Sequence, residues 1–264
     1  MLNCRPVDVD TAQHGHERKI TRSGLKDGEF CKFDRAMIFE DPNGTGILYD
    51  AGRTVAGADD PRLGKIDVLL VSHMHGDHEG VRHQPKPGAG TCGKPDVSVK
   101  AAPNTNTVNI ALAKKTTIVT GSEMRRFFGN KLKANGVEFN KSQLARFGFL
   151  RKFGGVMITT VPEVHSNSVN PAFIGGDLGK MLKAAGLAGY ADPPKGYVLE
   201  FTNSLVVYLS GDTGITAEQD NVLQGHCGAK LAGSTSAMCS LRGWCIRKAL
   251  LSRMRMRWRL KAVS

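Results

Sequence analysis

The chain has 264 residues and 28.5 kDa, with 41% hydrophobic residues, enough to bury one large core and to exclude wholesale disorder. No run of 18 apolar residues occurs, so no transmembrane helix is expected, and the polar start MLNCRPVDVDTAQHGHERK does not read as a secretory signal. The net charge of +12 points to nucleic acid only until it is mapped. Nine Lys or Arg and no Asp or Glu fall after residue 220, leaving the body at +3, too little for a phosphate-tracking groove.

In chain order, Ala36–Glu40 and Gly46–Asp50 flank Asp-Pro-Asn-Gly-Thr and predict a β-hairpin. Ile66–Val71 is a short apolar run, a buried strand. Arg82 to Asn106, rich in Pro, Gly, Thr and Asn, predicts a long loop, in which Asn104, Asn106 and Asn109 are read as satisfying their own turns. Thr116–Thr120 predicts a strand. Met124, Phe127, Phe128 and Leu132 then recur at helical spacing from Gly121-Ser122 to the stop at Asn135-Gly136. Val156–Val161 is a β-branched strand, Asp177–Leu187 a short helix, and Tyr197–Phe201 with Leu205–Leu209 a second hairpin. Strand pairs with helices between them predict an α/β or α+β domain with two sheet segments.

The chemistry is concentrated in Val71-Ser-His73-Met-His75-Gly-Asp77-His78-Glu-Gly80. Four potential ligands lie within six residues, directly after a buried strand. Imidazole nitrogens and a carboxylate suit Zn²⁺ and similar metals. His73 and His75, two apart, leave an extended backbone on one side. Asp77 and His78, beyond the flexible Gly76, can turn to a neighbouring position, which suits two adjacent metals better than one. His165 follows the strand Val156–Val161 and Asp212 follows Leu205–Leu209, again at strand C-terminal ends, where α/β sites gather.

The order His73-x-His75-x-Asp77-His78, then His165, then Asp212 resembles the metallo-β-lactamase superfamily over about residues 30 to 224. Ala172 to Gly214 is most similar to its lactonase-like branch. The resemblance implies an αββα sandwich. It also implies two divalent ions, Zn²⁺ above others: His73, His75 and His165 at the first, Asp77 and His78 at the second, Asp212 bridging. The implied activity is hydrolysis of a lactone, β-lactam or related ester or amide carbonyl by metal-activated water, with Asp77 orienting the water and moving its proton. Phosphodiester or RNA hydrolysis, which other branches perform, is the alternative, and a metal-binding protein of impaired activity a further one. The expected partner is a small-molecule substrate, with neither membrane nor nucleic acid. The absence of a signal and of CxxC spacing among the six cysteines predicts a cytoplasmic protein.

The family pattern also calls for a last histidine well beyond Asp212. His226 comes too soon, only 14 positions later, and no histidine follows it. The tail (225–264, after an extension 1–29 and the domain 30–224) is basic and compositionally foreign. Codons for Ser234-Thr-Ser-Ala-Met-Cys239, read one base earlier, permit Val-Asn-Ile-Gly-Asp-Val, which is similar to what this branch carries after the Asp212 segment. The sequence therefore predicts a frame shift near Ala232-Gly233, and a sandwich lacking its last strands and helix.

Overall fold

The computed structural model describes residues 36–87, 89, 105–174, 176–214 and 216–217, with the backbone of two further strands, His16–Lys19 and Lys230–Ala232. The first sheet runs in chain order: β1 (His16–Lys19), β2 (Met37–Glu40), β3 (Gly46–Tyr49), β4 (Val68–Leu70), β5 (Thr117–Thr120) and β6 (Ser142–Leu144). β1, β2 and β3 pair antiparallel and β3 to β6 pair parallel. The predicted first hairpin is β2–β3. It turns on Asp41–Thr45, where Asn43 Oδ1 accepts from Thr45 N at 2.9 Å.

The second sheet has the order β13-β12-β11-β8-β7. It comprises β7 (Leu150–Phe153), β8 (Val156–Pro162), β11 (Lys195–Glu200), β12 (Val206–Leu209) and β13 (Lys230–Ala232). Between β8 and β11 the chain makes an excursion through the two-stranded ribbon β9 (Ser168–Val169) and β10 (Gly189–Tyr190). β8 and β12 each lie antiparallel to β11, so they point the same way and end on the same edge.

Strand alternation explains why the sheets stack. Phe39, Ile47, Tyr49, Val68, Leu70 and Val119 of the first sheet share one core with Val156, Ile158, Tyr197, Leu199, Val207 and Leu209 of the second. The intervening residues Ile38, Leu48, Leu69 and Ile118 point the other way, onto two helices. α2 (Asn106–Lys114) supplies Val108, Ile110 and Ala111, and α3 (Ser122–Ala134) supplies Met124, Phe128 and Leu132. A first helix, α1 (Gly76–Glu79), is a single turn within the motif. Each large side chain so buried stabilises the fold by roughly 2 kcal/mol. The far face of the second sheet carries a smaller buried group, Val161, Val198 and Tyr208.

Two expectations are corrected. The predicted loop gives way to α2 at Asn106, started by Thr105, whose side chain accepts from Val108 N. Asn106 and Asn109 are therefore helical. Asn106 spends its Nδ2 on Gly52 O (3.0 Å) and Val55 O (2.6 Å) rather than on its own turn, and Asn104 lies outside the described residues. The helix expected over 177–187 is α4 (Gly176–Ala184), ending before Gly186, which adopts φ +68. β1 joins the first sheet and β13 the second. His226 and the residues from Gly233 onward lie outside those described.

Candidate metal centre

Four strand ends build the site. β3 ends into Asp50 and β4 into Val71-Ser72-His73. From the facing sheet, β8 ends into Glu163 and His165, and β12 into Gly211-Asp212. Val71 N donates to Val119 O (3.2 Å), holding the chain extended through Ser72, and Lys195 N donates to Ser72 O (3.1 Å), joining the edges of the two sheets. After His75 the backbone turns into α1, with His78 N and Glu79 N both donating to His75 O. The turn is braced by Arg53, whose Nε donates to Gly76 O and Val81 O.

This path brings five of the six predicted metal residues into two overlapping groups. His73, His75 and His165 form one, and His73, His78 and Asp212 the other, with ligand atoms in each within 4.8 Å of one another. Ring centroids are 4.5 Å apart for His73–His75, 4.0 Å for His73–His78 and 5.0 Å for His73–His165 and His75–His165. Asp212 Oδ1 is 3.4 Å from His78 Nε2 and its Oδ2 is 4.0 Å from His165 Nε2, so one carboxylate faces both groups. Asp77 stands at the margin, its Oδ2 3.9 Å from His78 Nε2 and its side chain 22% exposed, and belongs to neither group.

A layer behind these residues was not read from the sequence. Asp50 accepts Ser72 N (2.9 Å) and Ser72 Oγ (2.8 Å), and its Oδ2 lies 2.7 Å from His78 Nδ1. Ser72 Oγ is 2.9 Å from His73 Nδ1. With the Ser72 hydroxyl donating to Asp50, both imidazoles donate from Nδ1 and turn Nε2 towards the cluster. Asn167 Oδ1 accepts Met74 N (2.8 Å) while its Nδ2 donates to Asp192 O (2.7 Å), tying the His73–His75 segment to the His165 loop. The one available sequence signal was position: Asp50 closes β3 as His73 follows β4, on a neighbouring parallel strand.

Electrostatics divide the rings. Burial, then the neighbouring histidines, hold His73 well below its ordinary pKa, and burial with His165 lowers His75. Burial also opposes charge on His78, but Asp50 and Asp212 outweigh it and hold that ring well above. Glu163, buried, is pushed up to about 8. His73 Nε2 is buried, faces this cluster and has no hydrogen-bond partner. A bare nitrogen among three further imidazoles and a carboxylate is costly without a cation and ordinary with one, so the residues fit a divalent metal.

No family model matches the chain. A UPF0173 metal-dependent hydrolase of Koribacter versatilis is 27% identical over 175 residues, 65% of this chain and 56% of that protein, so the chain spans little more than half the relative's length. Among solved structures, the metallo hydrolase Igni18 of Ignicoccus hospitalis aligns with TM-score 0.44 at 19% identity, covering 73% of this chain and 63% of that one. The metallo-β-lactamase fold protein YhfI of Bacillus subtilis aligns with TM-score 0.44 at 13% identity, covering 78% and 66%. The motif closing β4 and the matching His and Asp returned by β8 and β12 of a facing sheet are the arrangement by which the chain resembles the metallo-β-lactamase superfamily.

Proposed function

We propose that the protein is a metal-dependent hydrolase that directs water at a lactone, β-lactam or related ester or amide carbonyl. The observation that supports this is the pair of candidate ligand groups that share His73, with Asp212 facing both. His73, His75 and His165 would hold the first ion, Asp77 and His78 the second, and Asp212 would bridge. Imidazole and carboxylate donors favour Zn²⁺. Two such ions supply Lewis acidity and lower the pKa of a bound water. Asp77, partly exposed at the margin, would accept that water's proton and pass it outward. Asp50 and Ser72 keep His78 and His73 in the tautomer that leaves Nε2 free.

The near-neutral body favours a small, weakly charged substrate over RNA, and among the described residues no helix is long and apolar enough to cross a membrane. A cytoplasmic location suits the thiol spacing. The test is chelation followed by add-back of Zn²⁺, Mn²⁺ or Fe²⁺, with turnover measured on lactones, β-lactams and bis-p-nitrophenyl phosphate. Metal-dependent turnover of a carbonyl substrate is expected. Turnover of the phosphodiester alone replaces the substrate class, and metal binding without turnover of any member of the panel overturns the hydrolase reading.

Within this superfamily the lactonase-like branch is favoured by Ala172–Gly214. The shifted frame near Ala232-Gly233 would account for the absent last histidine. Sequencing the gene tests it: the codons of Ser234–Cys239 should spell Val-Asn-Ile-Gly-Asp-Val one base earlier, and any other spelling removes the idea.

A further inference from the structure

Glu163 lies two residues before His165. Its side chain is fully buried between the end of β8 and the loop after β12. Oε1 accepts the backbone N–H of Asp212 at 2.6 Å and stands 3.9 Å from His73 Nδ1. The carboxyl fits there because residue 211 is glycine. Gly211 takes φ +63, and a Cβ on it would come within 2.3 Å of Glu163 Oε2. The next residues are stitched by backbone and hydroxyl alone: Val164 N donates to Thr213 Oγ1 (2.8 Å), and Gly214 N donates to Val164 O (3.0 Å).

The bond to Asp212 ties a buried side chain at the end of β8 to the main chain of the residue whose carboxylate faces both ligand groups. We propose that Glu163 is a positioning residue: it fixes the main chain of Asp212, and so aims that carboxylate at His78 and His165 together. The chain thereby couples the loop carrying His165 to the loop carrying Asp212, so that the two half-sites form as a unit. This rests on the reading of Asp212 as a bridging ligand.

The essential property is an acceptor oxygen at the right reach, which separates three substitutions. E163Q keeps a carbonyl oxygen where Asp212 N–H needs it. E163A removes it, and E163D keeps a carboxyl but withdraws it by one methylene. The metal-free proteins are compared by hydrogen–deuterium exchange over residues 211–214, and each is then titrated with Zn²⁺ against a chromophoric chelator, with D212A as the control. In E163A and E163D, faster exchange over 211–214 and about 10- to 100-fold weaker binding of the weaker ion are expected, with E163Q within a few-fold of the parent. Should E163A not fold, E163D against E163Q carries the same contrast. Parent-like exchange and affinity in E163D, or E163Q as damaged as E163D, overturns the proposal. D212A binding metal as the parent does would instead overturn the bridging reading beneath it.

Discussion

Asp50 Oδ2 lies 2.7 Å from His78 Nδ1, both side chains almost wholly buried, while the same carboxylate accepts the N–H and the hydroxyl of Ser72. One acid thus sets the ring that faces Asp212 and, through Ser72, the ring shared by both ligand groups. It does so from φ +44, a conformation Asp tolerates better than most residues. Removing it should act on metal affinity before it acts on folding. D50A is expected to weaken Zn²⁺ binding at the His78 side by about 10- to 100-fold, with D50N between it and the parent, in competition with a chelator. Equal affinity in all three would show that Asp50 has no part in orienting His78.

His73 belongs to both groups, whereas His165 and Asp212 each belong to one. A ligand that binds only the folded chain raises its stability by about 2.7 kcal/mol at 100 times its Kd. Zn²⁺ should therefore raise the thermal midpoint of the parent, and raise those of H73A, H165A and D212A by less. Differential scanning fluorimetry with and without chelator reads this directly. A full Zn²⁺ response in H73A would remove His73 from the centre of the site.

The parts legible in the sequence were those written in local pattern. Ile66–Val71, Val156–Val161 and the 197–209 hairpin are β-branched or apolar runs, and the structure makes strands of them. The spacing of His73 to His78 needed no tertiary knowledge. α2 was not legible because Asn106-Thr-Val-Asn-Ile is poor in helix formers, and its helix is held by burial of Val108, Ile110 and Ala111 and by Asn106 bridging to Gly52 and Val55. β7, Leu150-Arg-Lys-Phe153, is mostly exposed on a sheet edge and carries no alternation to read. Asp50 and Glu163 were missed for another reason: each acts on a residue far along the chain, 28 positions away for His78 and 49 for Asp212.

The loop after β3 holds a buried carboxylate paired with Arg62. Asp60 accepts from Ala56 N, Arg62 N and the Arg62 guanidinium, with its side chain wholly buried. Burial pushes its carboxyl up, but the bonds from Arg62 and Ala56 outweigh it and leave the pKa below the ordinary value. A folded pKa lower than the unfolded one gives stability that is present above the unfolded value and lost as pH falls through the folded one. D60N should cost about 2 kcal/mol in urea melts at neutral pH. The gap to the parent should close below pH 4, where the parent loses its advantage. A gap that stays constant into acid would assign the loss to packing.

Gly44 and Gly80 share φ +85, which makes them a matched pair. Both pay the left-handed penalty on substitution by alanine, roughly 1 kcal/mol. They differ in space. Nothing lies within 4 Å of a Cβ on Gly44, whereas a Cβ on Gly80 would meet Asn106 Cβ and Gly52 O, each at 2.5 Å. Gly80 also closes α1, its N–H donating to Gly76 O, and its carbonyl accepts Asn106 N. G44A should therefore cost about 1 kcal/mol and leave metal affinity unchanged. G80A should cost roughly 3 kcal/mol, because overpacking adds to the backbone strain, and should weaken Zn²⁺ binding by shifting His78 two residues away. Urea melts with chelator competition separate the two effects. If G80A matches G44A in both measurements, the contact between α1 and α2 does not hold the motif in place.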